Sequence, residues 1–148
     1  MKNPNKVKQG KKNRAAGKRF ELKVREDLEK ANWIVFRNSN DVSDVIETDI
    51  GEYERFFKQA KTKWNFITKM PMSIQSGFPD YVCIHSLVPE DNRFLVKFVE
   101  CKINGQLSKE EKEKCKWIIE KLEIPVIIAS RGKKRGEIIY ENFKEKYI

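Results

Sequence analysis

Histidine is nearly missing from this 148-residue chain: His85 stands alone, and the three cysteines, Cys83, Cys101 and Cys115, fit no zinc-binding spacing. A disulfide framework is excluded by the same scarcity, and the cysteines, two of them inside apolar runs, read as reduced and mostly buried thiols. His85, near the end of an expected strand, reads as a strand-end residue rather than a ligand or general base. No run of 18 apolar residues occurs, and the polar N-terminus has no apolar stretch behind it. Neither a membrane span nor a signal peptide is therefore expected, and the chain reads as cytoplasmic with no membrane partner. Internal repeats are also missing, and so is low-complexity sequence beyond the basic N-terminal arm.

Acid is absent from residues 1 to 19, which hold eight lysines and arginines. The rest of the chain carries 23 basic and 22 acidic residues, so nearly all of the net charge of +9 sits in one arm. A basic arm ahead of a folded core gains phosphate contacts and speeds encounter with a polyanion. Residues 1–14 are accordingly expected to be a flexible basic arm, and 15–148 one domain of sufficient length to bury a core without staples.

Along that domain, "AAGKRFELKVREDLEKA" places Phe20, Val24, Leu28 and Ala31 at helical spacing. "WIVFR" is a short apolar run closed by the turn residues "NSND". "DYVCIHS" and "RFLVKFVEC", separated by a loop with Pro89, Asp91 and Asn92, predict a hairpin. Ser108 followed by Glu111 marks a capping box, ahead of a helix with Cys115, Ile118, Ile119 and Leu122 on one stripe. "PVIIAS" and "EIIY" read as two more strands around the basic turn "RGKKRG". The fold class expected is α/β, with a central mixed sheet flanked by helices in the order α-β-β-β-α-β. Residues 38–76 are an excursion from this core, with a helix expected over about 52–63.

Two positions stand out for chemistry. On a strand Glu100 and Lys102 point to one side and Cys101 to the other. If the hairpin forms, Asp80 comes beside Glu100, and two carboxylates so placed repel unless a cation lies between them. One or two carboxylates with water and phosphate are what Mg²⁺ takes in phosphoryl-transfer sites. Glu21 lies at the edge of the first helix's apolar stripe, where a carboxylate held against a sheet has a partner or marks a site.

"GFPDYVCI" followed by "FVECK", with "GKRFE" on an upstream helix, resembles the PD-(D/E)XK nuclease superfamily. Within it the chain looks like archaeal-type Holliday junction resolvases. The resemblance implies a restriction-endonuclease-like core and a Mg²⁺-dependent DNA endonuclease, with Mn²⁺ as a substitute. It implies Asp80 and Glu100 as metal ligands, Lys102 as the catalytic lysine, Glu21 as a further acid for metal or its water, and Ser39 as a functional serine beside Arg37. It also implies four-way junction DNA as substrate and a homodimer, since two strands must be cut symmetrically. Lys11, Lys12, Arg14, Lys18, Arg19, Arg37, Arg131, Lys133, Lys134 and Arg135 are the candidate phosphate contacts. The excursion would carry a different substrate preference or a dimer contact. The alternatives are a non-catalytic nucleic-acid-binding module of the same fold, and a restriction-type or nicking nuclease acting on linear duplex.

Overall fold

The computed structural model describes residues 4–47, 49–73, 77–88, 91 and 93–148. Lys2, Pro89, Asn92 and residues 74–76 of the excursion lie outside them.

The chain opens with helix α1 (Pro4–Lys30), then runs through β1 (Ile34–Arg37), β2 (Asn40–Val42), β3 (Ile46–Glu47), β4 (Tyr53–Glu54), β5 (Phe57–Gln59), β6 (Thr62–Asn65) and β7 (Met70–Ser73). It continues through β8 (Tyr81–Val88), β9 (Arg93–Cys101), α2 (Lys109–Leu122), β10 (Val126–Arg131), β11 (Ile138–Asn142) and α3 (Phe143–Tyr147). Five strands form the central sheet, in the order β1-β8-β9-β10-β11. The β8–β9 hairpin is antiparallel, while β9 and β10 are parallel and joined through α2. The expected α/β class with a mixed sheet is what the chain adopts.

Side chains alternate across the sheet, and each face has its own core. Phe20, Val24 and Leu28 of α1 pack with Val35, Tyr81, Cys83, Val99 and Ala129 on one face. Burial of each of these three helix side chains contributes about 2 kcal/mol. On the other face Cys115 and Ile118 of α2 meet Phe98, Val126, Ile128 and Phe143. The sheet is thus sandwiched between α1 on one side and α2 with α3 on the other. All three cysteines are free.

One expectation is extended and one corrected. The basic arm has a conformation that its composition did not specify: α1 begins at Pro4, so most of residues 1–14 extend the helix. Proline suits a first helical position, and lysine, arginine, glutamine and alanine are good helix formers, so the exposed arm needs no packing partner to propagate the helix. The helix stops at Asn32, which takes the left-handed conformation (φ 64°) that asparagine tolerates. The helix expected over 52–63 is also absent, since β4, β5 and the start of β6 occupy it. "FFK" and "TKW" pair locally instead, β5 with β2 and β6 with β7, because aromatic and β-branched residues fit a paired ribbon.

Gly77 is where this excursion returns to the core. A Cβ there would lie 2.0 Å from the Asn38 carbonyl oxygen and 2.9 Å from that of Asn40. Gly77→Ala is expected to destabilise the protein by about 3 kcal/mol, read as a lowered urea midpoint. An unchanged midpoint would show that the backbone approach is looser than described.

Candidate metal and nucleic-acid site

The β8–β9 register sets Tyr81 against Val99, so Asp80 falls beside Glu100 one step further on. Each carboxylate clasps the opposite strand. Cys101 N–H donates to Asp80 Oδ2 at 2.9 Å, and Asp80 N–H donates to Glu100 Oε2 at 3.1 Å. Lys102 lies on the same side, its Nζ 3.3 Å from Glu100 Oε1. Glu100 is only 4 % exposed, so this is no strand end running into water.

Burial raises the Asp80 carboxyl to about 6, with the nearby Glu21 charge adding to it. Burial raises Glu100 further, to about 8, and repulsion by Asp80 adds to that. Lys102 is held charged: burial works against the ammonium, but its partners Glu111 and Glu100 outweigh it and raise its pKa.

The start of α2 fixes the lysine. Ser108 Oγ accepts from Glu111 N–H, and Glu111 Oε2 accepts from Ser108 N–H, completing the expected capping box. The other carboxylate oxygen, Glu111 Oε1, accepts from Lys102 Nζ at 2.6 Å. Glu111 is therefore both helix cap and lysine holder, a second role that the capping pattern alone did not reveal.

Glu21, Asp80, Glu100 and Lys102 line one polar cleft, joined there by Asp41, Glu110, Glu111 and Lys114. Glu21 enters from α1, with Arg37 of β1 3.2 Å from its Oε2. Lys114, nearly buried, contacts both oxygens of Asp41 at 3.1 Å and Glu110 at 3.0 Å. Neither Lys114 nor Asp41 was marked by the sequence, since each is an ordinary charge until β2 and α2 face one another.

Ser39 does not join the cleft. It is exposed, and what it contributes is a carbonyl that accepts from Ala60 N–H. The adjacent Asn38 has the structural role: its Nδ2 donates to the carbonyls of Pro79 and Asn40, and its backbone N–H to that of Asp80. A side chain that replaces backbone pairing in this way holds the Phe78–Asp80 segment in place. His85 packs edge-on against Trp33 with ring centroids 5.3 Å apart, away from the cleft.

The donor set suits a hard cation. Buried Glu100 and partly buried Asp80, two carboxylates with the single lysine Lys102 beside them, offer oxygen ligands, and Mg²⁺ commonly binds through one or two carboxylates and completes its shell with water and phosphate. Among the described residues no three acidic, cysteine or histidine groups converge to hold a metal on their own. Asp80 and Glu100 are neighbours across the β8–β9 pair, and Glu21 lines the same cleft.

The basic residues fall into two groups. Lys11, Lys12, Arg14, Lys18 and Arg19 are exposed along α1, with Lys11, Arg14 and Lys18 spaced for one face. Arg131, Lys133, Lys134 and Arg135 are exposed at the β10–β11 turn. Arg131 and Arg135 share a groove with Lys23, Phe20 and Glu137, so the turn borders α1 on the side of Lys23 and not on the face that carries Lys11, Arg14 and Lys18. No family model, curated protein or solved structure matches the chain. Among the described residues, no helix is long and apolar enough to cross a membrane.

Proposed function

We propose that the protein is a metal-dependent endonuclease that hydrolyses DNA phosphodiester bonds, with a restriction-endonuclease-like core and branched DNA such as a four-way junction as its substrate. The observation that carries the reading is the pairing of partly buried Asp80 with buried Glu100, with Lys102 3.3 Å from Glu100, all three lining one cleft. A bound Mg²⁺ or Mn²⁺ supplies Lewis-acid polarisation of the phosphate and a water of lowered pKa. Asp80 and Glu100 would hold that ion. Lys102, kept charged and aimed by Glu111, stabilises negative charge as it develops on the phosphate or the attacking oxygen. Glu21 orients water on the opposite wall. The cations of α1 and of the 131–135 turn bind backbone without reading bases, which gives recognition by shape. Two symmetric cuts require two active sites, hence a homodimer.

The test is purified protein with Mg²⁺ against labelled four-way junction, flap, linear duplex and single-stranded DNA. Cutting concentrated near the branch point is expected. Cutting of linear duplex at one sequence would make it a restriction-type enzyme, and binding without cutting under any metal would make it a binding module.

The α1 surface gives a separate expectation. Among the described residues, deleting 1–14 removes no buried side chain, since the first one in α1 is Phe20. Thermal stability should change little, while DNA affinity falls and the slope of log K against log salt flattens by roughly one for each phosphate that is no longer neutralised. An unchanged slope would remove α1 from the DNA surface.

A further inference from the structure

The β6–β7 ribbon has no packing explanation for its tip. Trp64, Phe66, Ile67 and Met70 are 50, 83, 93 and 63 % exposed, a concentration of large apolar side chains at the end of a four-residue-long hairpin. The turn is nonetheless built. Asn65 Oδ1 accepts from the N–H groups of Ile67 and Thr68, and Lys69 takes a left-handed φ of 53°. A held turn that points Phe66 and Ile67 into solvent is a presentation device rather than an unfilled core.

Charge decides what it is presented to. Residues 55–79 contain five basic residues and no acidic one, and Lys61 and Lys69, flanking the tip, are exposed. Apolar wedges flanked by cations are what proteins push between base steps, where an exposed base face replaces water against the ring. A protein partner would have to supply the matching acids, whereas DNA does so at every phosphate.

Position ties the ribbon to the cleft. Ala60, two residues before β6, donates its N–H to the Ser39 carbonyl, and Phe78, after β7, donates to that of Asn40. The ribbon therefore rises from the segment leading into β2, whose Asp41 lines the cleft. Its strands carry the tip roughly 13 Å beyond this root.

We propose that the β6–β7 tip is a base-unstacking wedge: Phe66 and Ile67 insert at the unpaired or weakly stacked bases of a branch point and seat the adjoining strand in the cleft. The choice of DNA as ligand rests on the nuclease reading of that cleft. The test uses the full chain in EDTA, so that binding is read without cleavage, and a four-way junction with 2-aminopurine beside the branch point. Wild type should raise the 2-aminopurine fluorescence at least about threefold on binding. Phe66→Ser with Ile67→Ser should abolish the rise and weaken junction binding about tenfold, with linear duplex affinity within about twofold. Phe66→Trp should retain the rise, and an unchanged circular dichroism spectrum shows that the fold is intact.

A bound wild type that leaves the fluorescence unchanged overturns the wedge, as does a double variant that still unstacks the branch point. Sedimentation velocity in which wild type self-associates and the double variant does not, with no fluorescence rise, assigns the tip to a second copy of this chain instead. Failure of the nuclease reading is distinct: unstacking in EDTA without cleavage in Mg²⁺ keeps the wedge and removes the catalysis.

Discussion

Asp80→Asn is expected to cut DNA about a thousandfold more slowly than wild type while folding to a more stable protein at pH 8. Asparagine keeps the shape and the oxygen that accepts from Cys101 N–H, so the clasp between β8 and β9 survives. What disappears is one of two neighbouring carboxylates, the partly buried one beside buried Glu100. The sign follows from the raised acids, Asp80 to about 6 and Glu100 to about 8. Below pH ~4 both carboxyls are protonated in folded and unfolded chains alike, and they do not bear on stability. As pH rises past ~4 the unfolded chain releases these protons first, so the wild type loses stability through the window up to the folded values near 6 and 8. Asp80→Asn lacks one of these groups and relieves the other, which amounts to about 2 kcal/mol at pH 8. Mg²⁺ should therefore raise the melting temperature of wild type at pH 8, raise it little at pH 5, and leave Asp80→Asn unmoved. A variant that is inactive and also less stable would point to a structural carboxylate instead.

Lys102→Ala should lower cleavage about a hundredfold and destabilise the protein, the opposite stability sign from Asp80→Asn. Lys102 is partly exposed, but its partner Glu100 is buried at 6 % side-chain exposure, and the substitution strands that charge. Breaking such a pair costs about 2 kcal/mol after allowance for the exposed lysine. The part of the loss that comes from Glu100 requires that carboxyl to be ionised, so it should be small at neutral pH and below and grow as pH rises toward and past about 8. DNA affinity in EDTA should fall only a few-fold, since one cation among many phosphate contacts is removed. Wild-type cleavage in Lys102→Ala would reduce the lysine to an ion pair that neutralises a strand end.

The contrast between the two variants reflects how the site is assembled, and the assembly is only partly visible in the sequence. The "PD" and "ECK" positions are legible because strand alternation and hairpin pairing are short-range rules that apply once β8 and β9 are recognised. The stripe Phe20, Val24 and Leu28 and the Ser108–Glu111 box are legible for the same reason. Lys114 and Asp41 are not, because their pairing spans 73 positions and depends on how β2 lies against α2. Asn38 looks like one more turn residue in "RNSN", yet it holds the strand entry while Ser39, the residue expected to be functional, stands in solvent. The difference is made by Gly77 and Pro79 arriving from about 40 residues away to meet the Asn38 amide and carbonyl. The helix expected over 52–63 does not form, because the charges there suit a helix surface while the pairing partners lie in β2 and β7. In the arm, composition reports the charge correctly and not the conformation, since helix propensity suffices there without an apolar stripe.

The central claim is that Asp80 and Glu100 form a metal-dependent phosphodiester hydrolysis site, and one gel tests it. Wild type and Asp80→Asn are incubated side by side with end-labelled four-way junction, first in EDTA and then after excess Mg²⁺. The expected result is no fragments in EDTA, discrete fragments from wild type once Mg²⁺ is added, and essentially none from Asp80→Asn at equal DNA occupancy. Fragments of equal yield from both proteins, or intact DNA in every lane with Mg²⁺ and with Mn²⁺ while the junction is bound, would contradict it.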